Sequence, residues 1–346
     1  MKRERLAALL LVILFAPVFT FGQSPLKGSV ERVKVHGKSL EGNLEGNPVD
    51  PDVSVYLPPS YKKESKRRYP VIYLLHGFTD TDAQWYGIVK HWINLPVIVD
   101  KVFTSGQAQE MIIVTPNAFT RSGGSYYSNS ITAGNWEDFV SKELVAYIDQ
   151  HYRTIAKPAS RGLAGHSMGG YGTIRIGERH PEIFSSIYLL SPCCLTPGNP
   201  RSADAIAKIE AVKTPDDIAK ADFMTKAALA YAAAWSPNPS RPPFYTDPIV
   251  ENGKLNPAAE IKWNANMPLP SIDQYITNLK QMKAIGFDAG DRDQPIASNI
   301  KTLHEVLDNY KIDHSYEEYQ GDHINKIGER IETRMLPFFS KNLVMK

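Results

Sequence analysis

The chain has 346 residues, 42% hydrophobic and 22% charged, with a formal net charge of +2. This is an ordinary globular composition, long enough for one large domain or two smaller ones. The near-neutral balance excludes a nucleic-acid binder held by bulk charge.

The first residues read as a processing segment. Lys2, Arg3 and Arg5 form a basic start, Leu6–Phe19 is apolar, and Thr20 and Gly22 are small residues at the −3 and −1 positions of a cleavage point after Gly22. The expectation is a signal peptide over 1–22 and a secreted or periplasmic mature chain over 23–346. The apolar run is shorter than the about 20 residues of a spanning helix, so no stable membrane insertion is expected after processing. Loss of that segment brings the net charge to zero. The basic run Lys62, Lys63, Lys66, Arg67, Arg68 reads as a solvated turn before an apolar strand.

Apolar runs bounded by turn residues predict strands at Val30–Val35, Val53–Leu57, Val71–Leu75, Met111–Thr115, Gly162–Ala164, Ile187–Leu190, Ala284–Phe287 and Ser315–Tyr319. Helical periodicity predicts helices at Trp92–Phe103, Trp136–His151, Met168–His180, Pro295–Tyr310 and Ile324–Leu336. From Val71 onward strand and helix alternate. That predicts an α/β fold with a mostly parallel eight-stranded sheet, helices on both faces and an antiparallel edge made by the first two strands. The sixth connection breaks the rhythm. Thr196–Gln281 holds 11 of the 25 prolines, Trp235, Trp263 and a helix over Lys220–Trp235. It is far longer than a single crossover and is expected to be a cap inserted over the ends of the sheet.

Gly165-His166-Ser167-Met168-Gly169 is a G-x-S-x-G nucleophile elbow between a predicted strand and a predicted helix. A serine on so tight a turn adopts a strained backbone, and glycines two residues either side remove the collisions a side chain would cause. A serine hydroxyl needs a base, and the base needs an acid to hold its tautomer. The elbow's usual order of serine, acid, histidine is met by Asp293 and His323. His323 follows Gly321-Asp322 at the exit of the last strand, whereas His304 sits in a helix and His314 opens a strand, both as packing or surface residues. Asp293 lies furthest into its turn, ahead of Asp291 and Asp288; the two left over are expected to cap the next helix or bind Arg292.

The backbone N–H groups of Met168 and Phe78 are the expected oxyanion donors, Phe78 following His76-Gly77 after the third strand. His76 and His166 are expected to be structural. Trp85, Tyr126, Tyr127, Trp235 and Trp263 are candidate substrate contacts, from their placement beside the catalytic edge. No metal-ligand spacing or phosphate loop is present, so neither a metal nor a cofactor is expected. Cys193 and Cys194 are adjacent; a vicinal disulfide and a buried reduced pair both fit.

With these residues in place, the chain resembles the "Putative esterase" family of α/β-hydrolases, which includes feruloyl and acetyl xylan esterases, S-formylglutathione hydrolases and mycolyltransferases. The resemblance runs through Val55–Tyr61, Tyr69–Gly77, Trp136, Glu143-Leu144, Gly165–Gly170, His180-Pro181 and Ser191-Pro192. It implies Ser167, Asp293 and His323 as a triad in a serine carboxylesterase acting on small or polysaccharide-linked esters. An acyltransferase would use the same triad with an alcohol in place of water; a non-catalytic binding module would have no need of all three residues. The long Pro192–Lys283 segment departs from the simplest members of the family, and with it the substrate preference they would imply.

Overall fold

The computed structural model describes residues 27–198 and 202–346; the expected signal peptide lies outside them. Eight strands form the main sheet: β1 (Ser29–Lys34), β2 (Asp52–Leu57), β3 (Val71–Leu75), β4 (Ile112–Pro116), β5 (Arg161–His166), β6 (Ser186–Leu190), β7 (Ala284–Gly290) and β8 (Ser315–Tyr319). Their order is β1-β2-β4-β3-β5-β6-β7-β8. β1 pairs antiparallel with β2 and β2 antiparallel with β4, and every later neighbour is parallel. All eight strand expectations coincide with these elements to within a few residues.

The two-residue period of β3 explains its layers. Ile72 and Leu74 point to one face, packed with Val99, Val102, Leu336 and Phe339. Val71, Tyr73 and Leu75 point to the other, packed with Phe139, Ile148, Tyr171 and Ile174. The helix Leu95–Thr104 starts three residues later than expected, because Asn94 caps it by accepting the Val97 N–H and Pro96 occupies its first turn. The helix from Trp136 to His151 carries a π-helical stretch, Phe139–Leu144. The last helical run begins at Ile327, loosens into a π-helical Ile331–Met335 and ends as Leu336–Asn342. Pro337, which has no N–H and crowds the preceding turn, stands directly after that loosened stretch.

β7 runs three residues past its expected end, to Gly290. The segment between β6 and β7 carries the helices Ala203–Ala211, Phe223–Trp235 and Pro257–Ala265. It shares the hydrophobic core of the Tyr73 face through Ala230, Trp235 and Trp263. Its Asn266 is fastened to the helix Met168–Arg179, the backbone carbonyl accepting from the Tyr171 hydroxyl at 2.8 Å and the side chain from Arg175 at 3.0 Å. No helix among the described residues is long and apolar enough to cross a membrane.

One buried carboxyl on the central helix makes stability depend on pH. Glu178 has a side chain 1% exposed, its Oε2 lacks a hydrogen-bond partner and Arg179 stands 3.9 Å from Oε1. Burial pushes its pKa up to about 8. The unfolded chain releases that proton near the ordinary carboxylate pKa, so between those values the native state holds more protons. This group's stabilising contribution is therefore complete in acid and is lost as pH rises through about 8. Glu178→Gln is expected to raise Tm by several degrees at pH 9 and little at pH 4. An equal Tm change at both pH values would show that Glu178 does not titrate this way.

Candidate active site

Among the described glycines, the two that leave least room for a side chain stand two residues either side of Ser167. Its φ is +56° and its ψ −114°, a conformation a serine adopts only under constraint. A Cβ on Gly165 would lie 2.2 Å from the Gly169 carbonyl oxygen, and one on Gly169 would lie 2.0 Å from the Leu75 carbonyl oxygen. Only glycines allow β5, the helix Met168–Arg179 and the end of β3 to close this far. The elbow is clamped from β6 as well: Ser167 N–H donates to the Leu190 carbonyl, and the Ser167 carbonyl accepts from Cys193 N–H, both at 3.1 Å.

His323 is delivered by two interlocked loops. After β7, Asp291 N–H donates to the Tyr319 carbonyl and Arg292 N–H to the Gly321 carbonyl. The Gly321 N–H donates in return to Asp291 Oδ1 at 3.0 Å. Asp322 accepts the amides of Ile324 and Asn325 and fixes the turn that carries His323. The result is a continuous path: Ser167 Oγ to His323 Nε2 at 2.9 Å and His323 Nδ1 to Asp293 Oδ2 at 2.8 Å.

The two other aspartates have different partners from those expected. Asp288 belongs to β7, not to the turn, and is fully buried. Its Oδ2 accepts from Arg330 Nε at 2.9 Å and from the Tyr188 hydroxyl at 2.7 Å. Asp291 shapes the histidine loop through Gly321. Neither caps the following helix by a side-chain bond or pairs with Arg292, because β7 extends far enough to carry Asp288 inside the sheet.

Both flanking histidines have partners within the protein. His76 is buried, with Nδ1 2.8 Å from the Gly77 carbonyl, and its Nε2 accepts the Ala118 N–H at 2.9 Å. Burial lowers its pKa, so it stays neutral and ties the loop after β3 to the loop after β4. His166 Nε2 donates to the His323 carbonyl at 2.8 Å, and burial pushes its pKa down to about 3. Gly77 sits against the elbow: a Cβ there would be 3.6 Å from Ser167 Cβ. The Phe78 amide follows Gly77 in the chain, and the Met168 amide opens a helix where no intrahelical acceptor exists.

The aromatic candidates require correction. Trp85, Tyr126, Tyr127, Trp235 and Trp263 are each no more than 2% exposed. Trp85 donates its indole N–H to Asp80 and packs against Trp92 and His166. The Tyr127 hydroxyl donates to the His76 carbonyl. Trp235 and Trp263 donate to Ser128 and Ser236. Tyr126 stacks on Phe78 and packs on Tyr231 and Trp235. These large rings are consumed in holding the loops, and of the five Trp263 backs an open surface. That surface is a cleft of about 660 Å³ lined by Phe223, Met224, Ala228, Tyr231 and Trp263. Phe223 and Met224 are 58% and 70% exposed, and the Phe223 ring meets the Phe78 ring edge-on at 5.4 Å. Sequence reasoning passed over both, although a pair of large apolar residues directly after the N-cap Asp222 was a legible signal. Cys193 and Cys194 form a vicinal disulfide, and Cys194 Sγ lies 3.0 Å from the Tyr231 hydroxyl.

A mostly parallel sheet, a strained serine between strand and helix, and a histidine and an aspartate from the last two strand exits define an α/β-hydrolase. The chain matches the "Putative esterase" family over residues 48–326 and belongs to it. It is 34% identical over 141 residues to an endo-1,4-beta-xylanase/feruloyl esterase of Xylanibacter ruminicola, covering 40% of this chain and 19% of that protein. It is equally identical over 142 residues to an esterase of Mycobacterium tuberculosis, covering 40% of this chain and 28% of that one. The aligned region thus spans less than a third of either curated relative. Among solved structures, a ferulic acid esterase superposes with a TM-score of 0.63 at 22% identity, over 91% of this chain and 98% of that chain.

The three aspartates are separable by measurement. Asp293→Asn is expected to lower kcat for ester hydrolysis about 10³–10⁴-fold with Tm nearly unchanged. Asp291→Asn is expected to cost much less activity. Asp288→Asn is expected to lower stability by about 3 kcal/mol, because it leaves the buried Arg330 short of its partner. The comparison is kcat and Tm for all three; a larger kcat loss at Asp291 than at Asp293 would reverse the assignment.

Proposed function

We propose that this chain is an exported serine carboxylesterase with Ser167 as nucleophile, His323 as general base and acid, and Asp293 as the group that orients the imidazole. The observation that carries the reading is the unbroken hydrogen-bonded path from Ser167 through His323 to Asp293, built on a strained backbone. Export rests on the leader-like residues 1–22.

Each step follows from that path. His323 Nε2 takes the Ser167 proton as Oγ attacks the ester carbonyl. The developing oxyanion receives the N–H groups of Phe78 and Met168. His323 returns the proton to the departing alcohol and leaves an acyl-serine. Water then attacks that acyl group with His323 again as base, releasing the acid and restoring Ser167. Asp293 holds Nδ1 protonated throughout, so that Nε2 faces the serine.

The acyl group we propose is aromatic, of the hydroxycinnamoyl class. The Phe78 and Phe223 rings lead from the amide proposed for the oxyanion to the cleft along Phe223, Met224 and Tyr231. Its volume is within the usual range for small-molecule sites. The feruloyl esterase names of the relatives point the same way.

Ser167→Ala is expected to abolish hydrolysis and labelling by a fluorophosphonate while Tm is kept; an active variant would sink the mechanism. Phe223→Ala and Met224→Ala, at exposed positions, are expected to raise KM for methyl ferulate about tenfold and to leave kcat for p-nitrophenyl acetate unchanged. Equal effects on both esters would remove the cleft from the acyl site. Product partition with added alcohol acceptors separates hydrolysis from acyl transfer.

A further inference from the structure

We propose that His304, Asp308 and His314 form a binding site for a divalent transition-metal ion of the zinc class, at the edge of the sheet opposite the candidate active site. His304 and Asp308 lie one turn apart on the helix Ile296–Asn309, and His314 directly precedes β8. The three side chains can each direct one ligand atom to a common point, with those atoms all within 4.8 Å of one another. His304 Nδ1 is 2.8 Å from His314 Nε2. Asp308 places one oxygen 3.5 Å from His304 Nε2 and the other 4.0 Å from His314 Nε2. The spacing in sequence hid this group, because a turn intervenes before His314.

Two features mark a prepared site. Both rings are held by stacking: His314 on Phe287, with centroids 5.4 Å apart and planes at 9°, and His304 on Tyr316 at 4.6 Å and 16°. His314 Nδ1 also lies 2.7 Å from the Ile312 carbonyl, where it must donate. That bond fixes the tautomer and turns an Nε2 lone pair toward the cluster, the arrangement that accompanies metal-ligating histidines. Hydrogen-bond valence then leaves the group short of a cation. If His304 donates from Nδ1 to His314, a neutral ring presents its Nε2 lone pair to the Asp308 carboxylate. An ion among the three atoms satisfies all of them.

Two imidazoles and a carboxylate suit zinc, cobalt and nickel better than calcium or magnesium. Ligand bonds of about 2.0–2.1 Å on a tetrahedral ion separate two nitrogens by roughly 3.3 Å, so the rings need part only slightly. A surface cavity of about 390 Å³ opens over the cluster, with Lys311 and Asp313 also at its wall. It leaves room for a water as the fourth ligand. The competing occupant is a second proton on His304.

The test uses tag-free protein stripped with chelator and titrated with zinc chloride by calorimetry, with cobalt chloride followed by visible absorption. Expected are one ion per chain at micromolar Kd or tighter, intense cobalt bands of a four-coordinate site, and a Tm rise of several degrees with zinc. His314→Gln also disturbs the packing on Phe287, so Asp308→Asn, at an exposed side chain, is the second variant. Each is expected to weaken zinc binding at least tenfold. No zinc-dependent Tm change in the wild type, or undiminished binding in the His304→Gln/Asp308→Asn double variant, overturns the site and leaves the proton as occupant.

Discussion

The contact on which the candidate active site depends is the approach of Gly169 to the end of β3. No side chain fits between the two backbones, so the helix Met168–Arg179 begins directly against the Leu75 carbonyl. That approach forces Ser167 into its positive-φ conformation and leaves its hydroxyl above the sheet. It also brings Gly77, with the Phe78 amide that follows it, to the side of Ser167. The strain is offset by packing on a fully buried helix face, where Met168, Tyr171, Ile174 and Ile176 join the larger core. The elbow, the Phe78 and Met168 amides and the sheet core are therefore one packing solution.

The second requirement is that two loops meet above that hydroxyl. β7 and β8 are parallel neighbours, so their exits emerge side by side. The backbone bonds from Asp291 and Arg292 to Tyr319 and Gly321 bring the turn of Asp293 to the loop of His323, and the Asp291 side chain adds a third bond by accepting from Gly321 N–H. His166, neutral because it is buried, adds a third anchor through the His323 carbonyl. Arg330 fixes the same region from beneath, held between Asp288 and Glu317. Glu317 is driven down to about 2, first by its bonds to Arg330.

Those relations explain what could be read from residue order. Strand positions were legible because buried parallel strands are nearly continuous apolar runs, as Val71–Leu75 is. That Ser167 and His323 would meet was legible because the elbow has a steric spacing and His323 follows the last strand. Asp293 could be ranked above its neighbours only by turn position; in the structure it is Asp293 that meets His323, while the extension of β7 to Gly290 buries Asp288. The aromatic residues misled. A tryptophan near a catalytic edge is equally useful for fastening a loop, and only hydrogen-bond partners distinguish the uses. The indole N–H groups of Trp85, Trp235 and Trp263 are all satisfied internally. The helix Phe223–Trp235 shows the same limit from the other side. Its apolar residues surround it, and only packing reveals that Trp235 turns inward while Phe223 and Met224 remain open.

β8 joins the two ends of the argument. His314 stands immediately before it and His323 four residues after it, and the five-residue strand spans about 17 Å between them. Its side chains are half-exposed or exposed except Tyr319, and it has a strand neighbour only at β7. An edge strand of this kind is the part of a sheet least held by its own packing. At its exit it is stitched to the acid turn; at its entrance the stacked His314 and Phe287 rings perform the equivalent task. An ion on His304 and His314 would pin that entrance to the helix Ile296–Asn309, which itself follows the acid turn. The loop Tyr310–Asp313 would then be closed at both ends, and the strand that leads to His323 would be held at its far end.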